Sequence, residues 1–254
     1  METAHDEFTP NDEPQVKLRA DYYFGVPVSG ASVEYNTSSQ YYHFDKYRGE
    51  YFNFNNLYQT DSNDNGDYYY GDRYLGHGED VLNQAGETVI TPELKADGGL
   101  DQNVSKIIIL DATVKNQEGR SISSQKSFVQ HAGLTYLGSK VEPSFTAVNQ
   151  PVILKVKSVD LGGTPISVGG IQAEIYKVNW IGVERPLGLG RYDKVWREER
   201  ELIRTENFRT NGNGDELISL NVAEEGEYQV EVKTAAGKAV GSRGSGLVWH
   251  MLGH

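Results

Sequence analysis

The chain has 254 residues, of which 37% are hydrophobic, and its formal net charge is −12. This length fits two compact domains, and the negative charge disfavours nucleic acids and anionic membranes as partners. The sequence contains no Cys, which excludes disulfides, zinc–thiolate sites and thiol nucleophiles and favours a bacterial source. The 28 Gly and 16 Tyr residues are typical of a β-rich protein with many turns.

The N-terminal residues 1–12 are polar and acidic, and we predict that they form a disordered lead-in. A signal peptide would begin with basic residues and continue with an apolar run. We therefore expect no export signal in this chain. We also expect no membrane insertion, because no apolar stretch approaches the length that crosses a bilayer.

Strand signals follow at short spacing in the first half of the chain. Residues 15–22 alternate apolar and polar side chains, as a half-buried strand does. Residues 26–30 contain the Pro and Gly of a turn, and the next strand starts at Ala31. The apolar run 107–110 is long enough for a central strand and too short for a helix. These elements predict a first β-sandwich over residues 13–131.

The second half repeats this pattern with one interruption. Residues 151–160 and 225–232 alternate like strands, but residues 177–210 are dense in charges, with two Trp residues among them. We predict a second β-sandwich over residues 132–254, with a long hairpin or insertion at 177–210. That segment is a protease-accessible loop, a contact with a neighbouring domain, or a long hairpin with a solvated charged face. Its run 194–204 is the one helix candidate, with a poor apolar stripe.

An internal repeat links the two halves. Residues 114–124 recur as residues 232–242, with a polar turn, a Gly and a basic residue in the same order. The sequence motif at residues 24–35 recurs in similar form over residues 161–176. Matching beginnings and ends predict two domains of one type in tandem. The predicted fold class is therefore all-β, with two tandem immunoglobulin-like antiparallel β-sandwiches.

The phrases themselves resemble macroglobulin domains of the bacterial α2-macroglobulin family. Residues 20–35 resemble the opening of such a domain, and residues 110–114 with Gly119 resemble its closing strands. The features that resemble the next macroglobulin domain are residues 131–138, residues 159–165, Trp180 and residues 226–228. The resemblance covers about residues 13–250 and is closest to the third and fourth macroglobulin domains of the family.

The resemblance implies a function. Family members are protease traps. A protease cuts a bait segment of the trap, and a thioester formed from a C-G-E-Q motif then captures the protease. This chain has no Cys for a thioester, and in the family order the bait lies downstream. The resemblance thus implies a structural scaffold fragment of an endopeptidase inhibitor, not an enzyme, in the bacterial periplasm or at the cell surface. Its partners would be neighbouring macroglobulin domains and, through the full-length protein, target proteases.

The sharpest local motif is an acidic loop with the spacing of a calcium site. Oxygen-bearing side chains recur at alternate positions, Gly66 makes the turn at the sixth position, and a carboxylate stands at the twelfth. The candidate ligands are Asp61, Asn63, Asn65, Asp67 and Asp72. The alternative is an Asx-rich turn without an ion, because the last ligand is Asp rather than Glu and no helices flank the loop. Ca²⁺ is the one cofactor that we consider.

Most Tyr residues lie between Tyr22 and Tyr74. They form either a binding face for sugars or a protein partner, or ordinary cross-strand packing. The alternative function is accordingly a tandem-sandwich adhesion or carbohydrate-binding module, with Tyr68 and Tyr69 on its working face. We predict no catalytic residues, because the six His residues lack metal-ligand spacing and no nucleophile-elbow motif is present.

Overall fold

The structure is a computed structural model that describes residues 1–54, 73–94, 104–188, 191–234, 239–240 and 242–248. Within these ranges the regular elements are all β-strands, and no helix that could cross a membrane is present. The chain divides into two units. The first comprises Met1–Tyr42 and Tyr70–Ala132, and the second comprises His43–Tyr69 and Gly133–His254.

The first unit is a sandwich of two sheets. Its strands are β1 (Glu2–Thr3), β2 (Glu7–Phe8), β3 (Val16–Arg19), β4 (Ser32–Tyr41), β5 (Arg73–Val81), β6 (Glu87–Ile90), β7 (Lys106–Lys115) and β8 (Ser121–Gln130). One sheet has the order β1-β3-β6 and the other the order β2-β8-β7-β4-β5. Neighbouring strands are antiparallel except for the β2–β8 pair.

The core of the first unit follows from side-chain alternation. Along β7, Ile108, Leu110, Ala112 and Val114 are buried, because every second side chain of a strand points to the same face. Val33 of β4 lies in the same cluster. The apolar run at 107–110 is thus part of a central strand, as predicted.

The second unit is also a sandwich. Its strands are β9 (Thr135–Glu142), β10 (Phe145–Thr146), β11 (Val152–Asp160), β12 (Ile171–Gly188), β13 (Arg191–Phe208), β14 (Asp215–Leu220), β15 (Gly226–Thr234), β16 (Ala239–Val240) and β17 (Ser242–Val248). The sheets have the orders β10-β17-β15-β12-β13 and β14-β11-β9-β16. Their core includes Leu154 and Val156 of β11 and Ile171, Ala173 and Ile175 of β12.

The segment 177–210 lies mostly in the long hairpin β12–β13. Strand β15 pairs with β12 from Ile171 to Val178, whereas β13 pairs with it as far as Gly188. The run 194–204, which was a helix candidate, belongs to β13. Its poor apolar stripe explains why it forms no helix, since helices in proteins depend on packing an apolar face.

The two sandwiches repeat one topology. The order β8-β7-β4-β5 in the first corresponds to β17-β15-β12-β13 in the second, and a short strand joins each of these sheets in parallel. The echoed phrase also forms the same turn: Asp21 bridges to Pro27, and Val159 bridges to Pro165. The predicted fold class of tandem antiparallel β-sandwiches is confirmed.

Four tight loops share one conformation that the sequence analysis did not recognise. Each starts with Asn or Asp, whose Oδ1 accepts hydrogen bonds from the backbone N–H groups two and four residues later. The fourth residue is Gly with φ between 72° and 86°, a region that other residues rarely adopt. The loops are residues 83–87, 116–120, 160–164 and 211–215.

The structure corrects two predictions about the domains. The predicted disordered lead-in 1–12 contains β1 and β2, and Phe8 is buried with its ring 5.1 Å from that of Phe128. One aromatic anchor outweighs the polar composition around it. In addition, the predicted contiguous sandwich 13–131 does not hold together as one unit, because His43–Tyr69 belong to the second unit.

We expect the side-chain hydrogen bonds of the tight loops to stabilise the unit that contains them. Asn211→Ala removes the acceptor of two backbone N–H groups and should lower the free energy of unfolding of the second unit by about 1–2 kcal/mol. Urea unfolding followed by Trp fluorescence measures this, because all three Trp residues lie in the second unit. Asn213→Ala is the matched control, since Asn213 bonds Asn211 through its backbone N–H. If the Asn211→Ala and Asn213→Ala variants had the same free energy of unfolding, the stabilising role assigned to the Asn211 side chain would be wrong.

Candidate functional site

The second unit is completed by a segment from the first half of the chain. Residues 43–54, which we call the strap, follow β4 in sequence but pack on β9 and β11 of the four-stranded sheet. Because of the strap, Tyr136 to Ser139 of β9 are all buried, although a strand with one covered face would alternate. The strap is therefore part of the second sandwich.

Aromatic rings form the centre of the strap contact. The ring of Phe44 stacks on that of Tyr136 with centroids 4.0 Å apart, and Phe54 meets Phe44 edge-on at 5.2 Å. Phe52 and Tyr47 surround Phe54 at 6.3 and 5.8 Å. Phe44, Phe52 and Phe54 are buried. Burying three Phe side chains is worth several kcal/mol, since each contributes roughly 1.5–3 kcal/mol.

Backbone geometry fixes the position of the strap. Asn53 and Ser139 exchange two N–H···O bonds of 3.0 and 2.9 Å, which form an antiparallel bridge. Beside them lies Gly138, where a Cβ atom would be 2.7 Å from the ring of Phe54 and 2.8 Å from Phe52. A glycine is thus required at this position for the two Phe side chains to approach the strand.

Charged groups surround the aromatic contact. The Glu50 carboxylate lies 2.7 Å from the Lys140 ammonium and 3.4 Å from that of Lys155, and both lysines also pair with Glu142. The hydrogen bond from Lys140 is the main cause that lowers the pKa of Glu50, and it lowers the pKa of Glu142 as well. These groups are partly exposed, so they position the strap more than they stabilise it.

Lys157 links the strap to the loop after β13. Its side chain is 8% exposed, and its ammonium lies 5.5 Å from the centroid of the Tyr47 ring and pairs with Asp215. It also donates a hydrogen bond of 3.2 Å to the carbonyl of Asn213. A buried ammonium requires such partners, because desolvating an unpaired charge is costly.

The arrangement suits a mechanical connection. It consists of packed rings, one backbone bridge and lysine–carboxylate pairs, without a nucleophile beside a base. In the described ranges, no group of three His, Asp or Glu side chains could hold a metal ion. The packed rings and the backbone bridge make the strap and its receiving surface on β9 and β11 the candidate functional site.

The sequence-predicted sites fall elsewhere. The candidate ligands of the predicted calcium loop lie outside the described residues; they are Asp61, Asn63, Asn65, Asp67 and Asp72. Tyr68 and Tyr69 also lie outside the described residues. The sequence analysis missed the strap itself. Its available signals were Phe52 and Phe54, spaced to lie on one face, and Gly138 in an otherwise ordinary strand.

The fold of the chain is similar to that of solved bacterial α2-macroglobulins. A cryo-EM structure of native Escherichia coli α2-macroglobulin covers 96% of this chain with a TM-score of 0.63 and 14% identity. Salmonella α2-macroglobulin reacted with methylamine covers 97%, and E. coli α2-macroglobulin activated by porcine elastase covers 99%, both with a TM-score of 0.64 and 14% identity. The predicted resemblance is thus confirmed at the level of the fold.

This chain spans only part of those proteins. It matches 15%, 16% and 22% of the three chains, respectively. No family model and no curated protein sequence matches it. The similarity therefore establishes the tandem sandwich architecture, and the activity of the larger proteins can be transferred to this chain only as a proposal.

We expect the buried ring of Phe54 in the strap to contribute strongly to the stability of the second unit. Phe54→Ala should lower the free energy of unfolding of the second unit by about 3–5 kcal/mol, as expected for removing a buried Phe. Tyr51→Ala in the same segment is the matched control and should change it by less than about 0.5 kcal/mol, because Tyr51 is 76% exposed. Urea unfolding followed by Trp fluorescence distinguishes the two. Similar stabilities would show that the strap does not contribute to the sandwich.

The calcium loop remains a prediction of the sequence. If residues 61–72 bind Ca²⁺, calorimetric titration should show micromolar binding, and EDTA should lower the melting temperature. Asp61→Ala should abolish both effects, because it removes the first carboxylate ligand. Asp6→Ala in the N-terminal segment is the control. No heat of binding and no shift in melting temperature would identify the segment as an ion-free turn.

Proposed function

We propose that this chain is a structural part of a larger, bacterial α2-macroglobulin-like endopeptidase inhibitor. Its two sandwiches would correspond to consecutive macroglobulin domains, the third and fourth of the family. Their task would be to hold the reactive regions of the full protein in place. On this proposal the chain has no catalytic activity of its own, and it works in the periplasm or at the cell surface.

The observation that supports this proposal most is the extent of the structural match. In each comparison, 96–99% of the chain is aligned with a bacterial α2-macroglobulin, so the aligned part includes both sandwiches. A chance likeness between single immunoglobulin-like domains would cover about half of a two-domain chain. This extent supports the proposal that the chain corresponds to two consecutive domains of such a protein.

The sequence adds what this chain would not do. It contains no Cys and cannot form a thioester. The described site is a packed aromatic contact, which suits a load-bearing role. The proposed partners are accordingly the neighbouring macroglobulin domains, and a protease would meet this chain through the complete inhibitor.

Porcine elastase tests the proposal in two parts, because one solved relative is described as activated by it. The complete polypeptide that contains this chain should form covalent conjugates with elastase, visible by denaturing gel electrophoresis. Prior treatment with methylamine should prevent them, since an amine consumes a thioester. The isolated chain, residues 1–254, should leave elastase activity unchanged.

Two results would contradict the proposal. A complete polypeptide that neither inhibits nor conjugates elastase, trypsin or other endopeptidases would remove the inhibitor assignment. Inhibition by residues 1–254 alone would show instead that the reactive segment lies within this chain. The Phe54→Ala variant is useful in the second case, because loss of inhibition with loss of folding would exclude a contaminant.

A further inference from the structure

The first sandwich repeats part of the surface that receives the strap in the second. The turns after β3 and β11 are closed by equivalent backbone hydrogen bonds, and each forms a bridge to a Pro. Matching the two turns and their strands gives three pairs of equivalent positions. They are Lys17 and Lys155, Arg19 and Lys157, and Gly25 and Gly163. The cation of the second pair also meets a carboxylate of the neighbouring strand in both sandwiches.

In the second sandwich all three positions contact the strap. Lys155 pairs with Glu50 at 3.4 Å, and the ammonium of Lys157 lies 5.5 Å from the centroid of the Tyr47 ring. A Cβ atom on Gly163 would be only 2.5 Å from a backbone carbonyl oxygen of the strap. The strap therefore passes directly over this glycine, with one ring and one carboxylate on the two lysines.

In the first sandwich the same three positions are open. The side chains of Lys17 and Arg19 are 52% and 55% exposed, whereas those of their counterparts in β11 are 29% and 8% exposed. In the described part of the chain, no atom lies within 4 Å of a Cβ placed on Gly25. The space that the strap fills in the second sandwich is thus accessible in the first.

The geometry of Arg19 favours an aromatic ligand. Its Nε and Nη2 donate hydrogen bonds of 2.8 and 3.2 Å to the carboxylate of Asp21, and its Nη1 donates one of 3.5 Å to Glu87. Because these bonds use the edge of the guanidinium, its flat face is the part that a ligand can contact. Arginine stacks on aromatic rings through this face. A ring at the position of Tyr47 would contact it in this way.

The turn after β3 adds apolar surface beside these positions. Tyr23 is fully exposed and Phe24 is 75% exposed, whereas Leu161 and Gly162 occupy the equivalent positions in the second sandwich. The ring of Tyr22 stacks on that of Phe24 with centroids 5.5 Å apart, which fixes the orientation of both. Aromatic rings contribute strongly to the energetics of interfaces. A segment that crosses the turn would bury these rings.

From this comparison we infer that the first sandwich binds a strap-like segment of another macroglobulin-type domain. The binding surface, which we call the open face, consists of Lys17, Arg19 and residues 22–26. The ligand is the connection that follows the strand equivalent to β4 in that domain, because the strap of this chain is that connection. It crosses Gly25, with a ring on Arg19 and a carboxylate beside Lys17. The inference rests on the proposed function, which supplies a neighbouring domain of this kind.

A fluorescently labelled peptide with the sequence of the strap, residues 43–54, is the probe for the open face. Fluorescence anisotropy with the intact chain should show weak but saturable binding, because β3 and its turn reproduce the β11 side of the strap contact. The same peptide with Tyr47→Ala should bind about fivefold more weakly, since it loses the ring that contacts Arg19. Absence of binding at millimolar peptide concentrations would overturn the inference.

Substitutions in the chain locate the binding site of the peptide. A double variant with Tyr23→Ser and Phe24→Ser should bind the peptide about tenfold more weakly, as expected for removing interface hot spots. Ile122→Ser is the matched control, because Ile122 is 68% exposed on β8 of the same sandwich, and it should leave binding unchanged. Circular dichroism spectra should confirm that the variants are folded. Undiminished binding by the double variant would show that the peptide does not use the open face.

Photo-cross-linking identifies the contact directly in the unaltered chain. A peptide in which benzoylphenylalanine replaces Tyr47 should cross-link to the segment from Arg19 to Phe24, as determined by mass spectrometry. Cross-links confined to β9 or β11 would mean that the peptide has replaced the strap in the second sandwich, and the inference would be wrong.

A lipid surface is the other occupant that exposed rings could meet. Vesicles of phosphatidylethanolamine and phosphatidylglycerol should not co-sediment with the chain. If they do, and Phe24→Ser abolishes it, the turn is a membrane anchor and the inference is wrong. The proposed function is tested separately. Peptide binding without elastase conjugation by the complete polypeptide would remove the inhibitor assignment alone, and the reverse result would remove the open face alone.

Discussion

The second sandwich depends on the contact between the strap and β9. Its four-stranded sheet has Tyr136 and Gly138 on the side away from the core, and that side is covered by Phe44, Phe52 and Phe54. Without the strap, Tyr136 and the Gly138 surface would be exposed to water at the cost of several kcal/mol. This contact makes the second unit discontinuous in sequence. The folding of the second sandwich therefore also involves residues 43–54, which belong to the first half of the sequence.

The regular parts of the fold could be predicted from the sequence because they obey local rules. Val16 and Leu18 alternate with exposed residues in β3, and the apolar run around Ile108 forms a central strand. The repeated phrases gave the tandem architecture, because equal loops produce equal turns, as the bridges at Pro27 and Pro165 show. The N-terminal strands were missed, because the average composition of residues 1–12 conceals Phe8.

The site could not be predicted in the same way, because its two halves are far apart in sequence. Phe52 and Phe54 could equally face solvent or a core, and their partner Gly138 lies more than eighty residues later. Propensity rules describe neighbours along the chain, whereas this contact is set by tertiary packing. The acidic motif at 61–72 gave a strong local pattern, yet a local pattern does not show whether an ion binds.

The proposed roles follow from what each surface has to do. Buried rings and a backbone bridge make the strap a permanent joint within the second unit. The end of the β12–β13 hairpin, residues 181–188 and 191–197, is different, because it carries exposed rings and positive charge in an acidic chain. A scaffold needs both kinds of surface: contacts that hold its own domain together, and exposed contacts that meet a partner.

Native-state hydrogen exchange tests the central claim that the strap is part of the second sandwich. The amide of Asn53, which donates to Ser139, should exchange with nearly the same opening free energy as the amide of Val156 in β11, because both would open in one cooperative unit. Rapid exchange at Asn53, with Val156 still protected, would show that the strap is a loosely attached loop and would contradict this account.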